Sequence, residues 1–316
     1  MTGEYSGLLL LNKTPGITSF EALRTVKKVF ATNKVGHTGT LDKFATGLLL
    51  VLVGRAVKLA SWVSGADKQY EGLIRFGVET DTLDPEGVSI AEGPIPTREA
   101  LEGVLPLFRG DILQAPPEYS AVHVAGERAS RLARQGMAVD LPKRTVSVYA
   151  LELCAYEPPL ARIRVHCSKG TYIRSLARDL ACAAGSRGHL VSLNRTHIAG
   201  FPVSEAVELG EDVSPAWVRA LKPIDPQVFQ TLSLPWMLVD DAIALKMIHG
   251  KPLDTLIDEG KLSPGSVSRP KTGEPCVVGV FRESGGDTAG TLVGIIEKKA
   301  PQERGGWSYG YVYARA

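Results

Sequence analysis

Apolar residues along this chain group into runs of different period, and each run predicts a different element. Residues 48–53 (LLLVLV) are apolar at every position. That run is too short to cross a bilayer, and its Leu and Val content predicts a strand buried on both faces. Residues 6–11 (SGLLLL) predict an opening strand, closed by a Lys-Thr-Pro-Gly turn at 13–16. The spacing then becomes helical. Phe20, Leu23, Val26 and Phe30 recur at three- and four-residue intervals, and Thr18 with Glu21 has capping-box spacing. A helix over 19–31 is therefore expected to bury these four residues and to point Lys27 and Lys28 elsewhere. Further on, Ile173, Leu176, Ala177, Leu180 and Ala184 predict a second amphipathic helix, with Gly185 as its stop.

Between these helices the pattern predicts short helices over 55–63 and, capped by Thr97, over 97–108. Strands are expected over 70–76, 145–156 and 161–167, the last two paired across the Glu157-Pro158-Pro159 turn. After residue 228 the character changes. Residues 235–250 are followed by three short apolar segments at 276–281, 292–296 and 309–313, separated by Gly-rich turns, which fits a small β-barrel. The whole reads as a mixed α+β architecture.

Composition adds bounds. With 316 residues, 44% hydrophobic and 22% charged, the chain has room for two domains and a sizeable core. No basic leader precedes a cleavable apolar segment and no apolar run reaches membrane-spanning length, so a cytoplasmic protein is expected. Cys154, Cys167, Cys182 and Cys276 lie far apart with no C-x-x-C pair, so buried free thiols are expected.

The net charge of +2 hides strong blocks. Residues 1–60 hold eight basic against three acidic side chains, 61–118 four against eleven, and 119–200 twelve against five. Two basic blocks in a balanced chain suggest one surface that faces a polyanion. Residues 119–144 concentrate this charge in His123, Arg128, Arg131, Arg134, Lys143 and Arg144 around a short helical pattern. Arginines every third residue would line one helix face and track phosphates; an exposed amphipathic helix is the plainer alternative.

Candidate chemistry centres on residues 36–47 (GHTGTLDKFATG), a Gly- and Thr-rich loop holding one carboxylate, Asp42, just ahead of the buried strand. Glycines allow positive φ and close backbone approach, and threonines can orient a carboxylate. The loop lacks the Gly-Lys-Ser/Thr of a phosphate loop, and His37 with Asp42 is too few ligands for a metal, so none is expected. By spacing alone, an Asp in such a loop is more often a turn or cap residue. The acidic turn at 81–87, with Asp81, Asp84 and Glu86, lacks EF-hand spacing and is expected to be a solvated loop. Residues 166–174 (HCSKGTYIR) join a strand to the second helix, placing Lys169 to Tyr172 at a helix N-terminus where free N–H groups favour anions. Tyr172 suits stacking on a base, and Arg174 suits pairing with a carboxylate or phosphate.

Together these motifs closely resemble the TruB family of tRNA pseudouridine synthases. The matching pieces, in family order, are LLLLNKTP (8–15), GHTGTLDKFATG (36–47), KQY (68–70), TDTLDPEG (80–87), PEYSA (117–121) and HCSKGTYIR (166–174), covering most of the chain to about residue 209. Members usually carry Pro after the aspartate; this chain has Lys43 and then Phe44.

The resemblance implies a pseudouridine-synthase fold: a mixed, mainly antiparallel sheet flanked by helices over 1–228, with an RNA-binding thumb inserted at 119–144. Residues 229–316 would form a PUA-like RNA-binding β-barrel. It implies isomerisation of uridine 55 in the tRNA T-loop to pseudouridine, with neither cofactor nor metal. Asp42 would be the nucleophile or base, with Arg174 beside it; a neighbouring Arg lowers an Asp pKa from ~3.9 by about 1 to 3 units. Tyr70 would pack on the flipped base and take part in proton transfer at C5, and Tyr172 and Leu193 would wall the pocket. His37 would fill the place the nucleotide leaves. Arg128, Arg131, Arg134, Lys143, Arg144 and Lys169 are candidate contacts to the RNA backbone. The partner is the T-arm and elbow of tRNA, met by a monomer without guide RNA, obligate protein partner or membrane. The alternative is a module that binds and folds the tRNA elbow with little or no catalysis.

Overall fold

A computed structural model of the chain describes residues 5–120, 123–124, 127–135, 141–209, 215–258, 260, 262, 277–284, 287–298 and 307–313. Its centre is a mixed sheet in the strand order Val207–Glu208, Gly7–Lys13, Thr46–Val53, Gly188–Ile198, Lys68–Phe76, Leu160–Cys167, Arg144–Glu157 and Gly110–Gln114. Neighbours run antiparallel except at two pairs: Gly7–Lys13 with Val207–Glu208, and Thr46–Val53 with Gly188–Ile198. The expected mainly antiparallel sheet is thus the observed one.

Register assigns the faces. Arg195 lies opposite both Gly47 and Tyr70, and Tyr70 opposite Val165, so these four share one side. On that side Leu9, Leu11, Leu49, Val51 and Val53 pack under the helix Ser19–Val29. Tyr70, Ile74, Phe76 and Val165 pack under the helix Ile173–Ala183. The other side of Gly7–Lys13 and Thr46–Val53 presents Leu8, Leu10, Leu48, Leu50 and Leu52 to Val228, Phe229, Phe281, Leu292 and Ile295. The LLLVLV run is buried on both faces because helix and C-terminal residues cover it from opposite sides.

The capping box forms: Thr18 Oγ1 accepts from Glu21 N at 3.1 Å, and Glu21 Oε2 accepts from Thr18 N at 2.8 Å. The buried stripe of that helix is Ser19, Ala22, Leu23 and Val26, however, and Phe20 is 62% exposed. At about 100° per residue Phe20 sits too far round from Ser19 to join the stripe, and it packs under the Lys27 ammonium instead. The helix ends at Val29, two residues short of the expected end, since Ala31 takes a φ of +47°. Residues 55–63 form a 3₁₀ turn (Gly54–Leu59) and then a short α-helix (Ala60–Val63). Of the cysteines, Cys167 is buried but Cys154 and Cys182 are exposed, against expectation. They stand on the outer sides of a strand and a helix each covered on one face only. Cys276 lies outside the described residues.

Within 119–144, a two-residue hairpin, His123–Val124 with Glu127–Arg128, precedes the six-residue helix Ala129–Arg134. The side chains of His123, Arg128 and Arg134 lie outside the described residues, and with them the expected arginine face. The C-terminal part forms a four-stranded sheet, Trp236–Val239, Val277–Ser284, Asp287–Lys298 and Trp307–Val312, around Val239, Met247, Leu256, Val278, Val280 and Ile296. The division placed after residue 228 falls inside the helix Pro226–Thr231, whose Val228 and Phe229 are buried against both parts.

Candidate active site

Asp42 sits in the loop between the strands Val35–His37 and Thr46–Val53, and buried side chains hold that loop by its backbone. Ser19 Oγ accepts from Leu41 N at 2.8 Å and donates to Leu41 O at 3.0 Å. Lys13, with no exposed surface, donates to the carbonyls of Thr14 and Ile17 at 2.9 Å and of Lys43 at 3.3 Å. Arg195 donates to Gly39 O at 3.1 Å and Leu48 O at 2.7 Å. Gly47 takes φ +106° where a Cβ would lie 2.4 Å from Arg195 O, so only glycine lets the two strands meet there.

Arg174, in the first turn of Ile173–Ala183, is the partner of Asp42. Its Nη2 donates to Asp42 Oδ1 at 3.1 Å, and its Nε lies 3.0 Å from Oδ2 without hydrogen-bond geometry. The same guanidinium reaches Asp84 Oδ2 at 3.1 Å, Thr82 O at 2.8 Å and Tyr119 O at 2.9 Å. Asp84 is only 4% exposed, so the acidic turn is not the solvated loop expected from its composition. Thr82 Oγ1 at 2.6 Å and Glu86 N at 3.0 Å bond its other oxygen, while Thr80 Oγ1 bonds its carbonyl, and the turn folds inward around these bonds. Lys43, which follows the aspartate, reaches Glu86 at 3.6 Å on the exposed side of the same turn.

Two carboxylates thus share one guanidinium. The Asp42 side chain keeps 38% of its surface open to the cleft, yet burial of the rest pushes its pKa up. Arg174 and, more weakly, Lys13 pull it down, and the charge of Asp84 pushes it up again. The net direction is upward, opposite to the lowering expected from an Arg neighbour alone, because burial and the second carboxylate oppose that neighbour.

The cleft, of about 330 Å³, is lined by Asp42, Tyr70, Tyr172, Arg174, Leu193 and Lys169, together with Lys68, Tyr119 and Arg195. Six of the expected site residues therefore meet in one cavity. Tyr70 is buried, which raises its pKa, and it lines the cleft as a neutral phenol opposite Arg195 on the neighbouring strand. Tyr172 caps the helix Ile173–Ala183, its backbone pinned by Gln114, which accepts from Tyr172 N at 2.8 Å and donates to its carbonyl at 3.1 Å. Leu193 lines the cleft and belongs to the apolar core at once.

His37 stands apart, on the strand Val35–His37, half-buried, with Nδ1 buried and without a hydrogen-bond partner. Burial and then Arg195 lower its pKa, keeping it neutral. Lys143 and Arg144 are exposed at the start of their strand, and Arg131 is exposed with its Nε 3.8 Å from Glu127. Sequence reasoning read Asp84 as part of a solvated loop and gave no role to Arg195, Lys13 and Gln114. Only the polar residue types were visible; that all four would be buried was not.

Comparison with known proteins shows the family. A family model described as "TruB family pseudouridylate synthase (N terminal domain)" matches residues 27–173. The tRNA pseudouridine synthase B of Francisella philomiragia subsp. philomiragia is 40% identical over 259 residues, 81% of this chain and 80% of that protein. The chain belongs to the TruB family. A second relative of the same name, from Borreliella burgdorferi, is 44% identical over 222 residues, 69% of this chain and 78% of its own. Among solved structures, a Cbf5-Nop10-Gar1 complex matches with a TM-score of 0.67 at 22% identity, covering 98% of this chain and 84% of that one. An H/ACA RNP bound to a substrate RNA containing 2'-deoxyuridine matches with a TM-score of 0.65 at 21% identity, with the same coverage. These structures share the fold, including its C-terminal PUA-like part. As a TruB member the chain is a pseudouridine synthase, an isomerase that acts on tRNA. Among the described residues no helix is long and apolar enough to cross a membrane.

Proposed function

We propose that this enzyme converts uridine 55 of the tRNA T-loop to pseudouridine with Asp42 as nucleophile or base and no cofactor. The observation that carries the reading is that Asp42 is the sole carboxylate among the described residues lining the cleft, fixed there by Arg174. The reaction breaks N1–C1′ and forms C5–C1′; C5 releases a proton and N1 gains one, so composition is unchanged. An ionised carboxylate is needed whether it attacks the sugar or base or removes the C5 proton.

Extruding the uridine costs about a few kcal/mol, which stacking at about 1 to 3 kcal/mol per base offsets. Tyr70 and Tyr172 supply that stacking and Leu193 the apolar wall. The neutral phenol of Tyr70 can pass a C5 proton onward only by giving up its own, and Asp42 is the acceptor in reach of the cleft. His37, neutral and with an unpaired Nδ1, takes the place the nucleotide leaves. Lys169, Lys143, Arg144, Arg131 and the thumb arginines Arg128 and Arg134 hold phosphates. Residues 1–228, with the thumb at 119–144, perform recognition and chemistry, and 229–316 add RNA contacts, in a cytoplasmic monomer that needs no guide RNA.

The test is release of tritium from C5-labelled unmodified tRNA by the purified protein alone. Asp42→Asn is expected to abolish release while tRNA affinity stays within about threefold. Normal release by this variant would remove Asp42 from the reaction, and release that persists after uridine 55 is replaced would overturn the site.

A further inference from the structure

Among the described residues Arg195 is the largest of the fully buried side chains, 1% exposed, and it lines the cleft beside Tyr70, which the proposed reaction uses. Among the described residues no carboxylate pairs with it, in contrast to Arg174, which two carboxylates neutralise. Its hydrogen-bond partners are the carbonyls of Gly39 and Leu48, at either end of the segment that carries Asp42, and Tyr70 stands opposite it on the neighbouring strand, lining the same cleft. Its own strand lies between those of Gly47 and Tyr70 and is in register with both. A buried cation without a counter-ion is costly, and an apolar chain of similar length would fill the same volume. What an apolar chain lacks is a rigid planar fork that binds several acceptors in fixed directions; a lysine keeps the charge but presents it from one flexible point.

We propose that Arg195 is a positioning residue of the isomerisation, holding the Asp42 loop through Gly39 and Leu48 in fixed geometry against Tyr70, its opposite number on the neighbouring strand. This rests on the proposed function of the same cleft. Its unopposed charge also reaches beyond the tyrosine, lowering the pKa of His37 and helping burial hold Lys68 at about 8. The residue thereby links the stacking histidine, the reacting carboxylate and the base-contacting phenol.

Arg195→Lys and Arg195→Met, in the full chain, separate this role from simple support. Arg195→Lys is expected to bind tRNA within about threefold of wild type while single-turnover tritium release slows at least about tenfold, because orientation and not affinity is lost. Arg195→Met is expected to slow release as much and also to raise the His37 titration midpoint, read by NMR without RNA, whereas the lysine variant leaves that midpoint in place. Wild-type release by Arg195→Lys, or losses of rate and affinity in equal proportion, would overturn the proposal. If the methionine variant fails to fold, the rate and affinity of the lysine variant still decide. A wild-type protein that releases no tritium would instead sink the proposed function, and a shifted His37 midpoint would still register the field of Arg195.

Discussion

Asp42 and Asp84 repel each other across the Arg174 guanidinium, and the repulsion matters because the proposed reaction needs Asp42 ionised. The raised pKa of Asp42 means that its protonated form gains in the folded protein, so activity is lost as pH falls through a midpoint above the ~3.9 of a free aspartate. Asp84→Asn removes the like charge, which moves this acid limb to lower pH. It also takes a charged hydrogen bond from Arg174, worth about 1.5–3 kcal/mol, so release at neutral pH is expected to fall roughly ten- to hundredfold. Single-turnover rates between pH 4 and 8 check both effects, and an acid limb that moves upward would contradict the shared-charge account. At this scale the sequence was legible where chemistry is local. An Asp in a Gly/Thr loop and an Arg at the start of an amphipathic helix were singled out by their motifs, and the fold brings the two side chains together. The role of Asp84 arises from burial across residues far apart in the chain, and a string of acidic residues beside Pro and Gly reads as solvent-facing.

Elements with an unbroken or strictly periodic apolar pattern, such as Thr46–Val53 and Ile173–Ala183, stand close to where the pattern put them, because burial on fixed faces admits one solution. The misassignment of Phe20 shows the limit. Hydrophobicity placed it on the buried face of Ser19–Val29, but that face is claimed by Ser19, a polar residue whose hydroxyl holds the loop of Asp42. Ser19→Ala deletes both bonds to Leu41 in a buried place, a cost of about 1–3 kcal/mol. The expected outcome is a lower melting temperature and slower tritium release with tRNA affinity unchanged, because the loop of Asp42 loses its tether to the helix. Chemical denaturation measures the first effect and single-turnover kinetics the second. A fully stable variant with normal turnover would show that Lys13 and Arg195 hold the loop without the serine.

At the scale of the molecule, the C-terminal part has a core of its own and also shares one with the leucine strands. Phe281, Leu292 and Ile295 close the outer face of the leucine strands, Trp62 Nε1 donates to Glu297 at 2.6 Å, and Arg55 lies 5.0 Å from the centre of the Tyr313 ring. The change of composition after residue 228 was legible, but not that Val228 and Phe229 anchor both sides. Gly279 exposes this dependence. A Cβ at that position would lie 2.4 Å from the Phe229 ring, so Gly279→Ala forces the ring off its contact with Phe281, whose centroid is 5.1 Å away. Overpacking of this kind costs about 1–3 kcal/mol. Because one core spans the junction, calorimetry is expected to show a single transition moved down by a few degrees for the whole chain, with release per folded molecule unchanged. Two transitions, of which the substitution moves only the smaller, would mean that the C-terminal sheet unfolds by itself and that the leucine strands stay covered without it.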